Sequence, residues 1–456
     1  MPSIYKEKPF VHVVSEKCKS TYCASCCIQS IDNSLKRCSC CRFVHYCSRG
    51  CQSKDWAFHR DECKGLKQLS PKVPPDTVRL MARILFKQKL GDSVFAVSEG
   101  GRSFDTLMTH LSEIKQDSLR LESFTQAVSF LKVYVGFENL PEVEDLLIIF
   151  GKVVINSFNI CNAEMNPIGI GLYLKLSQID HSCEPNAVIV FNGSEAAVNS
   201  LYGDRSLTFD QARVSYVELL EPKAERRRQL QEQYYFACDC NRCTDISSDS
   251  KDARLLSFRC KNADCTGGCI LSETEDGVAV CYSCGCSRLD ASDCSYVMQK
   301  YFWKLEEISK SQTSSDNFAD ILSLCETALI ETESILHRLN VIRIRLAEKA
   351  FDASVQLQMW DDALKFGLLV FDGYSEYYCE NHPALGLHMI TLGRLYLYLE
   401  RLFDADLILQ KAEKKIAISY GNDHPLYEML RKLIYECHEE RRVKLDAAQL
   451  RDKHSV

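Results

Sequence analysis

The chain has 456 residues, 55 Lys and Arg against 62 Asp and Glu, a net charge of −7 and 46% apolar residues, an ordinary balance for a globular chain of about two to four domains. Bulk acidity argues against a general nucleic-acid binder, the opening MPSIYKEKPF has no apolar signal core, and no stretch approaches membrane-spanning length. Twenty-five cysteines without a secretion signal point to a reducing compartment, cytoplasmic and nuclear, and to metal rather than disulfides.

The first element in chain order is a run of paired ligands: Cys23-x2-Cys26, Cys38-x2-Cys41, Cys47-x3-Cys51 and His59-x3-Cys63. Two intervening residues let both thiolates reach one tetrahedral ion from a tight knuckle. Three place two ligands one helical turn apart on a shared face. Eight ligands in four pairs fit two closed zinc sites with no open catalytic position. From Lys36 to Lys67 there are eight Lys and Arg against three Asp and Glu, a local basic patch that is either a solvated face or a contact for an acidic partner.

Beyond Cys63 the pattern turns helical. Val78, Leu80, Met81, Ile84, Leu85 and Phe86 recur at near-helical spacing after the turn-forming Pro71–Pro75 stretch. Gly91 to Arg102 reads as a loop, and helices are predicted through Leu107–Phe137 and Val143–Phe158. Short strands follow: Asn186–Phe191, a hairpin turn at Asn192-Gly193, and a return strand over Ala196–Tyr202. From about Val297 the chain reads as helical. His382-Pro383 and His424-Pro425 lie 42 residues apart, as do Ala363 and Ala405. That period predicts tetratricopeptide-like helical hairpins ending at His-Pro breaks, with an irregular helical bundle as the alternative.

Between these halves lies the string that carries chemistry, Asp180-His-Ser-Cys183-Glu-Pro-Asn186, followed by Tyr216 and by Tyr234-Tyr-Phe236-Ala-Cys238-Asp-Cys240-Asn-Arg-Cys243. The Cys238, Cys240 and Cys243 run offers three ligands, so Cys183 is the natural fourth. It would tie the His181 loop to the later segment through a third zinc. Cys260-x4-Cys265 and Cys281-x2-Cys284 frame a Gly-containing segment that resembles a zinc ribbon and would hold a fourth ion. Cys269 and Cys286 are spare thiols nearby, and a simple cysteine-rich loop is the alternative.

Taken together, these motifs resemble the SET and MYND domain (SMYD) lysine methyltransferases over nearly the whole chain. The implied fold class is multidomain α+β: a β-rich SET core interrupted by a MYND zinc finger, a post-SET zinc loop, a zinc-ribbon-like insert and an α-helical tetratricopeptide-like C-terminal domain. The corresponding ranges are 1–20 for the N-terminal SET strand, 21–66 for the finger, 67–150 for a helical insert and 151–222 for the SET core. The post-SET loop takes 223–247, the ribbon-like insert 248–295 and the helical domain 296–456. Interleaved MYND topology implies one ion on Cys23, Cys26, Cys47 and Cys51 and another on Cys38, Cys41, His59 and Cys63.

The resemblance implies transfer of a methyl group from S-adenosylmethionine to a lysine of a histone tail or a non-histone protein. Tyr216 is the implied catalytic residue, ten residues before Arg226 of a Glu-Arg-Arg motif. Cys161, Asn162, Ser177, Ile179, Asp180, His181, Tyr234 and Phe236 are the implied cofactor-binding positions, with Phe236 stacking on adenine. A monomer is expected, with no membrane association and with a proline-rich peptide as candidate partner of the finger. Three departures from the family are visible. Ile4–Pro9 resembles the strand that follows the family's Gly-x-Gly turn, so that turn is expected to be missing. Asp180 stands where Asn is usual and would put a carboxylate beside the cofactor. Asp210-Gln-Ala212 replaces Gly-Glu-Glu. The competing function is a scaffold of weak or no activity that binds peptides through the finger and helical tail.

Overall fold

The computed structural model describes residues 3–30, 32, 34–89, 91, 101–204, 206–247, 250–272, 277–311 and 317–454. Two three-stranded antiparallel sheets form the β core. In one, Tyr5–Glu7 pairs with Glu195–Ser200, which pairs with Ala187–Asn192; in the other, Val11–Val14 pairs with Pro167–Leu172, which pairs with Ser157–Cys161. The first fifteen residues thus supply the outer strand of both sheets, and Val11, Val13, Ile160, Leu172 and Val198 point into the core. Glu7 is buried at the end of its strand, where its carboxylate accepts the backbone N–H groups of Lys175 and Leu176 at 3.0 and 2.9 Å. Burial pushes that carboxyl up from its ordinary value.

A short parallel ladder joins Asp180–His181 to Arg213–Val214. Asn186 locks it: its Nδ2 donates to the Gln211 carbonyl at 3.0 Å and its Oδ1 accepts from the Arg213 N–H at 2.7 Å. The hairpin turn sits one residue later than expected. Asn192 pairs with Glu195, so Gly193-Ser194 is the two-residue loop. Gly193 has φ +61°, and a Cβ there would lie 2.3 Å from the Cys26 carbonyl oxygen, so close approach and backbone conformation both require glycine. The Ser194 N–H donates to that same carbonyl at 2.9 Å, which seats the hairpin on the first zinc knuckle.

The helix expected to reach Phe158 spans Val143–Asn156, and Ser157 already opens a strand. Asn156 Nδ2 donates to the Lys152 and Met108 carbonyls at 2.8 Å each, and Ser157 Oγ donates to the Val153 carbonyl at 2.6 Å. Side chains that satisfy terminal carbonyls end a helix where apolar periodicity alone would continue it. Within the finger, the helix Arg49–Leu69 is capped by Ser48, whose Oγ accepts from the Cys51 N–H at 3.1 Å. The expected helix around Val78–Phe86 spans Asp76–Lys89 and is buried on nearly all sides. Most of the loop expected over Gly91–Arg102 lies outside the described residues.

From Ala291 the described residues form seven helices: Ala291–Ser311, Phe318–Glu331, Val341–Gln356, Trp360–Tyr377, Pro383–Tyr398, Leu402–Ser419 and Pro425–His454. The period of 42 runs through three copies. One helix of each pair starts at Phe318, Trp360 and Leu402, the other at Val341, Pro383 and Pro425. The His-Pro steps mark the starts of helices, not their ends. His382 and His424 are N-caps whose Nδ1 accepts from the Ala384 and Leu426 N–H groups at 3.3 and 3.1 Å. Asn340 Oδ1 does the same for Ile342 at 2.9 Å. The copy without a His-Pro therefore keeps the cap by other chemistry.

Side chains strap this helical domain across the β core. Asn199 Nδ2 donates to the Ser419 carbonyl at 2.8 Å, and Tyr420 Oη to the Ala163 carbonyl at 2.9 Å. Asn381 Nδ2 donates to the Leu201 carbonyl at 2.8 Å, and His424 Nε2 to the Phe191 carbonyl at 3.0 Å. Glu348, on the helix Val341–Gln356, is pushed up to about 7 by burial. An acid raised in the folded state favours folding fully below its unfolded pKa, and that contribution is lost as pH rises through the folded value. Glu348→Gln is therefore expected to stabilise the chain above pH 7, on the order of 2–3 kcal/mol. It should also flatten the fall in stability between pH 5 and 7, which denaturation at several pH values would show.

Candidate active site and metal centres

Four sets of ligand atoms each gather within 4.8 Å of one another: Cys23, Cys26, Cys47 and Cys51; Cys38, Cys41, His59 and Cys63; Cys183, Cys238, Cys240 and Cys243; and Cys260, Cys265, Cys281 and Cys284. A tetrahedral zinc with thiolates at about 2.3 Å sets sulfurs about 3.8 Å apart. Cys26 and Cys47 are 3.8 Å apart, Cys38 and Cys63 3.8 Å, Cys183 and Cys243 3.5 Å, Cys260 and Cys284 3.6 Å, and Cys265 and Cys281 3.7 Å. Every cysteine is a free thiol. The spacing and the all-sulfur or sulfur–imidazole donor sets suit zinc in four closed centres.

Two of the centres have charged backing that spacing does not reveal. In the second, His59 Nδ1 lies 3.3 Å from Glu62 Oε2, a carboxylate that orients the ligating imidazole. Glu62 in turn receives Arg79 at 3.0 and 2.8 Å, Arg83 at 3.2 and 2.7 Å and Tyr134 Oη at 3.0 Å. Asp55 pairs with Arg83 at 3.0 Å and accepts from Tyr46 Oη at 2.7 Å. Two of the three acids counted against the basic patch are thus buried, while all eight Lys and Arg residues over 36–67 are exposed. At the third centre, fully buried Arg226 lies 3.7 Å from Cys243 Sγ and is forked onto Asp252 at 2.6 and 2.8 Å; Arg242 reaches the same Asp252 at 3.1 Å. The hydrogen bond shared with Cys183 and the nearby Arg226 guanidinium lower Cys243 below the ordinary thiol value, and the guanidinium favours the thiolate that a metal requires.

Tyr216 lies between the third centre and a cavity. Its hydroxyl donates to the Ile179 carbonyl, and its backbone N–H donates to His181 Nδ1 at 3.0 Å. His181 Nε2 lies 3.2 Å from Cys183 Sγ. Burial, then Arg226, lowers this histidine to about 4, so the ring is neutral. The rings form a cluster, with centroids 4.9 Å apart for Tyr216 and Tyr234, 5.3 Å for His181 and Tyr216, 6.1 Å for His181 and Phe236, and 6.5 Å for Tyr234 and Phe236. Burial first, with Asp180 and Tyr234 adding to it, raises the Tyr216 phenol above its ordinary value, so it stays protonated.

The cavity holds about 780 Å³ and is lined by Cys161, Ser177, Tyr216 and Tyr234 from the expected set, together with Phe158, Ser215, Glu218, Gln229 and His382. It reaches from the SET-like strands to the first turn of a C-terminal helix, and its size is that of a site for a nucleoside-sized ligand plus a side chain. Asn162, Ile179, Asp180, His181 and Phe236 are not among the lining residues. Asn162 Oδ1 accepts from the Glu164 and Asn166 N–H groups at 3.1 and 2.9 Å, so its amide closes a turn. Asp180 points to solvent, 73% exposed, and pairs with Arg213 at 3.6 Å; the carboxylate expected beside the cofactor has a cation partner of its own. Ser177 Oγ accepts from Arg102 Nη1 at 3.2 Å.

Comparison with known proteins decides the family. Residues 16–63 match the MYND finger model. The whole chain is similar to the histone-lysine N-methyltransferase SMYD3 of Homo sapiens, 30% identical with 95% of this chain and 92% of the relative covered. The chain belongs to the SMYD family. The SMYD3 of Mus musculus is 31% identical over the same shares, 95% and 92%, and the histone-lysine N-methyltransferase ASHR1 of Arabidopsis thaliana is 29% identical over 96% and 91%.

Within a SMYD chain the third centre is the one nearest the aromatic cluster. Cys240→Ser is expected to release one zinc per chain while both MYND centres stay loaded, and to weaken S-adenosylmethionine binding about tenfold or more. Metal analysis with calorimetry checks this; zinc lost equally from every centre would contradict separate modules.

Proposed function

We propose that this chain is an S-adenosylmethionine-dependent protein-lysine N-methyltransferase, acting on histones or other lysine-bearing proteins as the names of its relatives describe. The observation that carries this reading is Tyr216, whose hydroxyl is held on the Ile179 carbonyl at the wall of a cavity large enough for both reactants. S-adenosylmethionine, when bound, supplies an electrophilic methyl group on a sulfonium.

The chain's own residues supply the rest. Because the phenolic proton is committed to Ile179, the oxygen lone pairs of Tyr216 are available to accept an N–H of the incoming lysine, which aims the amine's own lone pair. The raised phenol pKa rules it out as a base at neutral pH. Deprotonation of the lysine falls instead to desolvation against the Tyr216 and Tyr234 rings, which lowers an ammonium pKa. The ammonium proton would leave to solvent, and the Tyr216 oxygen would hold the neutral amine with its lone pair toward the methyl group that S-adenosylmethionine would supply.

The Arg213 guanidinium 3.6 Å from Asp180 offsets part of that carboxylate's charge, which favours the enzyme over the scaffold reading. Among the described residues no helix is long and apolar enough to cross a membrane. Trp56, 45% exposed on the finger helix, offers an aromatic surface of the kind that proline-rich segments use, so such a peptide is the candidate partner of the finger. The test is mass spectrometry of histones incubated with the zinc-loaded chain and S-adenosylmethionine. The expected result is a methyl-sized mass gain on lysine. Its absence from all core histones and from a lysine-peptide library would refute the reading.

A further inference from the structure

We infer that His181 is a positioning residue whose ring ties the third metal centre to the backbone of Tyr216, and that it does not bind cofactor through its ring nitrogens. The inference rests on the role given to Tyr216 above. His181 Nδ1 accepts the Tyr216 N–H at 3.0 Å, and Nε2 lies 3.2 Å from Cys183 Sγ. Because Nδ1 accepts the Tyr216 N–H it holds a lone pair and no proton, so the ring's proton sits on Nε2, which donates to the cysteine sulfur. Both nitrogens are spent. Only ring edges and faces remain, and these pack on Tyr216 and Phe236.

The same short loop grips the tyrosine twice. The Ile179 carbonyl takes its hydroxyl and His181 takes its backbone N–H. Cys183, two residues on, anchors that loop to Cys238, Cys240 and Cys243. Metal ligand, imidazole and tyrosine N–H therefore form one chain of bonds. A ligating sulfur that accepts an N–H is oriented by it, as carboxylates orient ligating histidines.

Two conservative variants separate the two bonds. His181→Asn keeps an acceptor near the Nδ1 position, and His181→Gln keeps a donor near the Nε2 position. Three quantities are read: the rate at which the third-centre zinc passes to a chelator, S-adenosylmethionine affinity by calorimetry, and the Tyr216 Cζ resonance of a carbon-13 tyrosine-labelled chain, assigned with Tyr216→Phe. In His181→Asn we expect zinc release about tenfold faster with the Tyr216 resonance near that of the unaltered chain. In His181→Gln we expect unaltered zinc release, a displaced Tyr216 resonance and a kcat about tenfold lower, with KM for S-adenosylmethionine unchanged. The inference is overturned if both variants leave zinc release and the resonance alone, or if both lose only cofactor affinity. Should the unaltered chain transfer no methyl group, the function proposed above falls, while the resonance and zinc measurements still decide the role of His181.

Discussion

Tyr216→Phe is expected to lower kcat for methyl transfer by about 10²-fold or more, while zinc content, folding and cofactor affinity stay close to those of the unaltered chain. The substitution removes one oxygen and nothing else. The phenyl ring keeps its neighbours, Tyr234 at 4.9 Å and His181 at 5.3 Å, and the backbone N–H keeps its bond to His181. The structural cost is one hydrogen bond to the Ile179 carbonyl, about 1 kcal/mol. What disappears is the acceptor that orients the amine. Single-turnover kinetics alongside calorimetry separate the two effects. A variant with unreduced turnover would remove Tyr216 from the chemistry, and one that also lost cofactor would make it a binding residue.

The second large effect is expected far from the cavity. Glu62 is fully buried and receives two guanidinium groups, a phenol and the ring of the ligand His59. Glu62→Ala leaves Arg79 and Arg83 buried beside a void. Arg83 retains Asp55 at 3.0 Å, and Arg79 retains the Val14 carbonyl at 2.7 Å, so the charges are only partly compensated. Breaking a buried ion pair on one side costs about 3–5 kcal/mol, a large share of a domain stability of about 5–15 kcal/mol. The second zinc centre should become the most labile of the four, because His59 loses the group that orients it. Denaturant titration with zinc-release kinetics tests both statements. A loss below about 1 kcal/mol would mean that the network contributes no more than a surface ion pair.

Most ligand pairs could be read from the sequence because two or three intervening residues let two side chains share one ion; which pair joins which in the finger came from the resemblance to the MYND topology. Cys183 could be found only by counting, since a run of three cysteines needs a fourth from elsewhere. The charged backing was not legible. Glu62, Arg79 and Arg83 look like the polar stripe of surface helices, and nothing in their spacing says that they converge on His59. Arg226 was visible as part of Glu-Arg-Arg, yet its partner Asp252 lies 26 residues on, beyond any helical period. The repeat showed two copies where there are three, because a His-Pro search cannot see Asn340 doing the same capping work. Likeness to a motif singled out Asn162 and Asp180, but no motif announces the turn that Asn162 Oδ1 closes or the Arg213 that stands 3.6 Å from Asp180.

The most direct measurement of the central claim is a calorimetric titration of S-adenosylmethionine into the full chain, with zinc measured in the same sample. Saturable binding of one equivalent per chain is expected, lost when a chelator empties the third centre and kept in Tyr216→Phe. A folded chain with four zinc ions that takes up no S-adenosylmethionine would contradict the account.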